Sequence, residues 1–331
     1  MRRAIVLINR FAVAALAVLL LAPTAWGGQI YLDNNVDIYG YTPAGVPPGN
    51  TPSYFFGPDH TPPTSSLANT GGVTGMAFTS HDGAAPVLLV ANLGLINGNS
   101  GGIEAYSEAG ADLGAFNAAS IYNPVGLAVD ANGNVYTGAA NGSTLEKVSP
   151  TGAGTPTVIA SNLGIQALAV YGAGTVFGAG GGTATEYVGG SQTYSLDGGS
   201  NLGIAFDSAG YLFVTYQLGG FSGGGGIDEF SPTGTKIADV TTTLIPTGLA
   251  YDPESGNFYM SYVNLNGIGG GIEKYSDGAG GTLGAGSLFA TVNAGQPDAI
   301  ADLTPEPGSF LLSGCGLISV LLFHFRRFRR A

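Results

Sequence analysis

The 331-residue chain carries 57 glycines, about 17% against an ordinary 7% or so, while Asp, Glu, Lys and Arg together make 10%. So low a charge excludes disorder driven by self-repulsion, and 44% hydrophobic residues suffice for a core. Between Gly27 and Leu303 stand 21 acids and three bases, Lys147, Lys236 and Lys274. That balance of −18 excludes nucleic acid as a partner, because phosphates need a Lys/Arg footprint.

Residues 1–27 have the three parts of an export signal: Arg2, Arg3 and Arg10, an apolar run from Phe11 to Leu21, and small residues ending Ala25-Trp26-Gly27. Eleven apolar residues span only about 16 Å of helix against roughly 30 Å of hydrocarbon, so cleavage after Gly27 is expected rather than a permanent anchor.

The body, residues 28–303, is a repeat. Gly-Leu-Ala-Val-Asp at Gly126–Asp130 recurs at Gly203–Asp207 and Gly248–Asp252, with looser copies at Gly75–Thr79, Ala167–Tyr171 and Ala299–Asp302. The spacings of 36 to 51 residues suit a unit of four short strands. A second strand is predicted at Val87–Ala91, Val135–Gly138, Thr175–Gly178, Tyr211–Tyr216 and Phe258–Tyr262. A third, carrying one acid, is predicted at Ile103–Ser107, Leu145–Ser149, Thr185–Gly189, Ile227–Ser231 and Ile272–Ser276. Ala299–Asp302 lacks its own second and third strands, and Gln29–Leu32 and Val36–Gly40 supply them from the other end. The expected fold class is therefore all-β: a six-bladed β-propeller closed by pairing of its N- and C-terminal strands. A parallel β-helix is the structural alternative, but its repeats are usually shorter. The proline- and aromatic-rich stretch Tyr39–Pro63 is expected as an extended excursion over the surface.

Residues 304–331 form the last segment. Phe310 to Phe325 is an apolar stretch broken only by small residues and His324; it is expected as a C-terminal transmembrane helix, with Arg326, Arg327, Arg329 and Arg330 on its cytoplasmic side. Cys315, the single cysteine, lies within it, which leaves the body without thiol or cysteine–zinc chemistry.

Pro305-Glu306-Pro307, the apolar stretch and the arginine cluster together resemble the PEP-CTERM sorting signal of Gram-negative bacteria. That resemblance implies an exosortase-type membrane protease as partner, transient inner-membrane tethering through the tail, and a final place on the outer envelope surface or outside the cell. It also implies an association with exopolysaccharide or biofilm material, or with envelope proteins. The run from Gly126 to Gly152 resembles the NHL repeat of extracellular propellers, a family of binding platforms. The related gluconolactonase-like propellers are metal-dependent hydrolases.

No catalytic constellation stands out. His60 and His81 lie in turn-like segments outside the repeated phrases. The glycine-rich stretches Gly219–Gly226 and Gly267–Gly271 lack the Lys-Ser/Thr of a phosphate loop. The third-strand acids Asp37, Glu104, Glu146, Glu186, Asp228 and Glu273 are expected to accept local hydrogen bonds and otherwise stay in water. Asp130, Asp207 and Asp252 precede turns, where Asp caps the loop with its own side chain; they are also the candidates for a cation site at a channel mouth. No resident cofactor is expected beyond weakly bound Ca²⁺. The favoured reading is an exported binding or structural propeller, and the alternative is a metal-dependent lactonase or lyase on the same ring. Clustered Glu, Asn and Asp at one channel mouth would mark the enzyme; small and apolar residues there would mark the scaffold.

Overall fold

The computed structural model describes residues 29–33, 38–41, 53–56, 73–79, 86–96, 99–107, 110–117, 121–139, 142–172, 174–219, 223–265, 269–292, 297 and 299–303. The chain opens with β1 (Gln29–Asp33), β2 (Ile38–Tyr41) and β3 (Ser53–Phe56). The first blade follows as β4 (Val73–Thr79), β5 (Val87–Ile96), β6 (Asn99–Ser107) and β7 (Asp112–Ala115). The second is β8 (Val125–Val129), β9 (Val135–Ala139), β10 (Thr144–Val148) and β11 (Thr157–Ser161). The third is β12 (Ala167–Tyr171), β13 (Thr175–Gly180), β14 (Thr183–Val188) and β15 (Thr193–Ser195). The fourth is β16 (Ile204–Phe206), β17 (Leu212–Gln217), β18 (Gly225–Phe230) and β19 (Lys236–Thr242). The fifth is β20 (Ile245–Asp252), β21 (Asn257–Val263), β22 (Gly270–Ser276) and β23 (Ser287–Val292), and β24 (Ile300–Leu303) ends the described chain.

Each blade is a four-stranded antiparallel meander, and a further four-stranded sheet has the order β24-β1-β2-β3. Its two chain ends are joined by backbone pairing, with Gln29 opposite Leu303 and Leu32 opposite Ile300. The innermost strands β4, β8, β12, β16, β20 and β24 neighbour one another in that cyclic order and back to β4. The core is divided accordingly into clusters between adjacent sheets. Ile38 meets Met76 and Leu88 where the composite sheet touches the first blade, and Ile30 and Leu32 meet Tyr259 and Ile272 where it touches the fifth.

The expected fold class is corrected as a whole. In place of a six-bladed ring flanked by a C-terminal transmembrane helix, the structure has five blades, each cut from one continuous stretch of chain. The composite sheet lies between the last blade and the first. No helix among the described residues is long and apolar enough to cross a membrane. The physical reason within the body is its glycine density, which breaks every apolar run into strand-length pieces. The expected tail helix lies outside the described residues, as do the N-terminal signal and the sorting motif Pro305-Glu306-Pro307 with its arginines. A second correction concerns the proline-rich excursion: within it, Ser53–Phe56 pairs with Ile38–Gly40 as the outer strand of the composite sheet.

Candidate functional site

The repeated phrase is the wall of the central channel. Its glycine is dictated by how closely the inner strands approach. A Cβ on Gly75 would stand 2.7 Å from the backbone of Gly126, and one on Gly203 would stand 2.6 Å from the carbonyl carbon of Gly248. Gly126 also has φ +65, a conformation that L side chains rarely adopt. Several inner strands are irregular at this level: the register slips between Val73 and Gly75, between Val125 and Leu127, and between Pro246 and Gly248. Such slips leave backbone groups outside the ladder. Thr137 of the second strand takes up one of them, donating to the Gly126 carbonyl at 3.0 Å; in the fourth blade, where β16 pairs without a slip, Thr215 accepts from the Gly203 N–H at 2.8 Å and donates to the Gly203 carbonyl. In the fifth blade the buried Ser261 accepts from Thr247 at 3.1 Å. The sequence reading missed these hydroxyls. Their signal is a Thr or Ser one or two places after an aromatic residue of the second strand: Thr137 after Tyr136, Thr215 after Phe213 and Ser261 after Tyr259.

Beyond the glycines, each inner strand contributes an alanine from the third place of the phrase to the wall, Ala77, Ala128, Ala169, Ala205, Ala250 and Ala301, and Ala167 and Ala299 line it as well. The channel holds about 400 Å³. Its polar side chains are Thr74, Gln166 and Tyr251, and none of the lining residues is ionisable at neutral pH. Because each inner strand ends its sheet, one backbone edge of every strand is left unpaired and turned to the axis. The wall thus combines small apolar side chains with neutral N–H and C=O groups.

The three candidate aspartates are not brought together, and none lines this channel. Asp130 Oδ1 accepts from the Asn132 and Asn134 N–H groups at 2.9 Å each, and Oδ2 accepts from Asn134 Nδ2 at 2.7 Å and the Tyr136 hydroxyl at 3.1 Å. Burial works to raise this carboxyl, but the bonds from Asn134, Tyr136 and Asn132 outweigh it and hold the pKa below the usual carboxylate range. Burial, with the same pairing behind it, pushes the Tyr136 phenol up to about 12. Asp207 Oδ1 accepts from the Ala209 and Tyr211 N–H groups at 2.9 and 2.8 Å. Asp252 accepts from the Glu254 N–H at 2.9 Å and the Ser255 hydroxyl at 2.5 Å. All three are the expected turn caps, closing the hairpin between the first and second strands of a blade.

The third-strand acids depart from expectation in one respect: several leave water. Glu104 is 1% exposed and accepts from the Tyr106 hydroxyl at 2.8 Å; burial is the main force raising its carboxyl. Glu186 is buried as well. Glu273 accepts from the Tyr275 hydroxyl at 2.5 Å, and burial raises the half-buried Glu146. Asp37, His60, His81 and His324 lie outside the described residues.

Asp228 belongs to a cluster that the sequence did not reveal. Ligand-capable oxygens of Asp197, Asp228 and Asp239 lie within 4.8 Å of one another. Lys236 answers them, 2.6 Å from Asp197 Oδ2 and 2.5 Å from Asp228 Oδ1, and the Tyr216 hydroxyl donates to Asp239 at 2.8 Å. The ammonium stands where a metal ion would, so the cluster reads as a clamp between the third and fourth blades. Pairing in space joins Asp197 to residues 31 to 42 positions further along, on the next blade, and only the scarcity of lysine hinted at it.

No family model and no curated protein matches the chain. Among solved structures it is similar to TolB from Acinetobacter baumannii, at 13% identity and TM-score 0.55, over 88% of this chain and 70% of that one. A protein of unknown function from Bacteroides caccae gives 11% identity and TM-score 0.57, over 84% of this chain and all of that one. A structural-genomics target described as a candidate gluconolactonase gives 15% and 0.52, over 71% and 81%. At such identities the likeness shows a β-propeller fold and nothing finer.

Proposed function

We propose that the chain is an exported propeller of the outer envelope or its polysaccharide matrix, which binds or scaffolds rather than catalyses. The observation that carries this is the channel wall. Ala, Gly, Leu and Val with unpaired backbone edges suit neutral, hydroxyl-bearing ligands, whereas a lactonase needs carboxylates converging on a metal at the mouth. The aspartates that such an enzyme would use are occupied in closing hairpins. Incubating the purified protein with lactones in the presence of Ca²⁺ should give no turnover above solvent. Metal-dependent hydrolysis that Asp130→Asn or Asp252→Asn abolishes would overturn the reading.

Sorting is a separate part of the proposal and rests on the sequence Pro305-Glu306-Pro307 with Arg326, Arg327, Arg329 and Arg330. An exosortase-type membrane protease would process this segment. Replacing Pro305, Glu306 and Pro307 with alanine should leave a longer cell-associated form. Mass spectrometry that finds an intact Ala331 on the mature surface protein would defeat it.

A further inference from the structure

Strand β18 places two consecutive acids on opposite sides of its sheet, as the two-residue period of a strand requires. Asp228 faces the third blade and meets Lys236. Glu229 faces the fifth blade, is 0% exposed, and meets no cation: its Oε1 accepts from the Leu283 N–H at 3.1 Å, and its Oε2 has no partner. Leu283 is bridged to Asp277, whose Oδ1 is likewise buried without a partner. Two orphan carboxylate oxygens, from two blades, therefore flank one bridged pair.

The loop that brings them together is a dedicated one. Asp277 to Gly284 leaves β22, turns on Gly278 N–H to Thr282 carbonyl (2.8 Å), and returns to the Ser276 carbonyl through the Gly284 N–H (2.9 Å). Gly281, at φ +74, presses on the Tyr211 ring of the fourth blade, where a Cβ would run into the ring. The loop thus reaches across the junction and covers Glu229. No described base is in ion contact with either acid. Lys236 is committed to the other side of β18, and Lys147 lies over the Tyr136 ring at 5.6 Å.

We propose that the junction of the fourth and fifth blades binds one hard divalent cation of the calcium type, held by Glu229 Oε2 and Asp277 Oδ1 beneath the 277–284 loop. Backbone carbonyls and water complete its oxygen shell. It does for this junction what the Lys236 ammonium does for its neighbour: it neutralises a carboxylate that burial has removed from water. The electrostatics agree. Burial, then Asp239 and Asp277, push the Glu229 carboxyl up against the Leu283 N–H, and burial, then Asp207, push Asp277 up against a hydrogen bond from Tyr251. The site lies away from the channel, so its ion is structural, and it stands or falls separately from the binding reading above.

The test uses the full-length protein and CaCl₂ alone. Calorimetry in high NaCl should find one ion per chain, and Glu229→Gln or Asp277→Asn should weaken it by at least the tenfold to roughly hundredfold that loss of even a supporting group costs a metal site. Asp197→Asn, at the other junction, should keep it. Stability gives a second readout. In chelator Glu229→Gln should melt at or above the parent, since it removes a buried charge, and with Ca²⁺ the parent should overtake it. No salt-resistant ion, an ion retained by both variants, or a junction that responds to pH and not to Ca²⁺ would each overturn the proposal, the last by assigning Glu229 a proton instead.

Discussion

Gly203→Ala tests the packing that gives the repeat its first residue. The added methyl would lie 2.6 Å from Gly248 C and Leu249 N, and 2.9 Å from Leu249 Cβ. Two of those atoms are backbone on a neighbouring inner strand, so no rotamer change relieves the contact. Overpacking ordinarily costs about 1–3 kcal/mol, and a clash against backbone belongs at the upper end. For a body of this size, about 3 kcal/mol lowers the melting midpoint by roughly 6–12 °C. Gly248→Ala should cost less, because its two nearest contacts are side-chain atoms, the Ser261 hydroxyl at 2.7 Å and Ile300 Cγ2 at 3.1 Å, and the nearest backbone atom, Ile300 N, is 3.3 Å away. Gly199→Ala meets nothing within 4 Å and serves as the control. Thermal unfolding followed by circular dichroism should rank the three with Gly203→Ala the least stable. If Gly203→Ala melts with Gly199→Ala, the inner strands do not touch as described.

Thr215→Val keeps shape but removes the acceptor for the buried Gly203 N–H; urea unfolding should show a loss of about 1–3 kcal/mol, more than for Thr137→Val, which loses only a donor to a carbonyl. Lys236→Met should destabilise the junction of the third and fourth blades at neutral pH and much less in acid, where Asp228 takes up a proton; equal loss at both would show that the clamp is packing rather than charge. Stability should rise as pH falls from neutral towards about 5. Glu104, Glu146, Asp228, Glu229 and Asp277 have folded pKa values raised above their unfolded ones, so their contribution is complete below the unfolded values and lost as pH climbs through the raised ones. Asp130, held low, runs the other way and is lost only as pH falls below its ordinary range, so a melting midpoint highest at alkaline pH would contradict the set.

The fold was legible because its unit repeats. Gly126–Asp130 and its copies locate the inner strands, and turn residues such as Asn132 and Gly133 locate the hairpins. The outermost strands were harder to find: Asp112–Ala115 and Thr193–Ser195 are short, with an unpaired outer edge, and carry little pattern. Ser53–Phe56 was hidden among prolines, which argue against a strand until one sees that it ends its sheet. Of the sites, the turn-capping role of Asp130, Asp207 and Asp252 could be read from their place before a turn. The clamp at Lys236 and the pair at Glu229 and Asp277 could not, since partners on different blades have no fixed spacing along the chain.

The repeated phrase also shows where variation is free. Its first residue is fixed by the approach of neighbouring inner strands, as at Gly75 and Gly203, and its last by the hairpin that Asp130, Asp207 and Asp252 each close. The second residue, Met76, Leu127, Leu168, Ile204, Leu249 or Ile300, belongs to a core cluster between sheets. The third is alanine throughout, which keeps the channel open. The fourth place holds Phe78, Val129, Val170, Phe206 and Tyr251, all five of which line the channel, and in the composite sheet Asp302. Backbone edges offer the same neutral groups at every inner strand, so they can hold a ligand but cannot orient it. On the binding reading proposed above, selectivity would come from this fourth position and from the polar side chains Thr74 and Gln166, of which Gln166 is already tied to the Asn201 N–H at 3.0 Å and Thr74 to the Pro124 carbonyl at 2.6 Å. With those two committed to holding adjacent blades together, Phe78, Val129, Val170, Phe206 and Tyr251 would be the part of the wall that tells one neutral ligand from another.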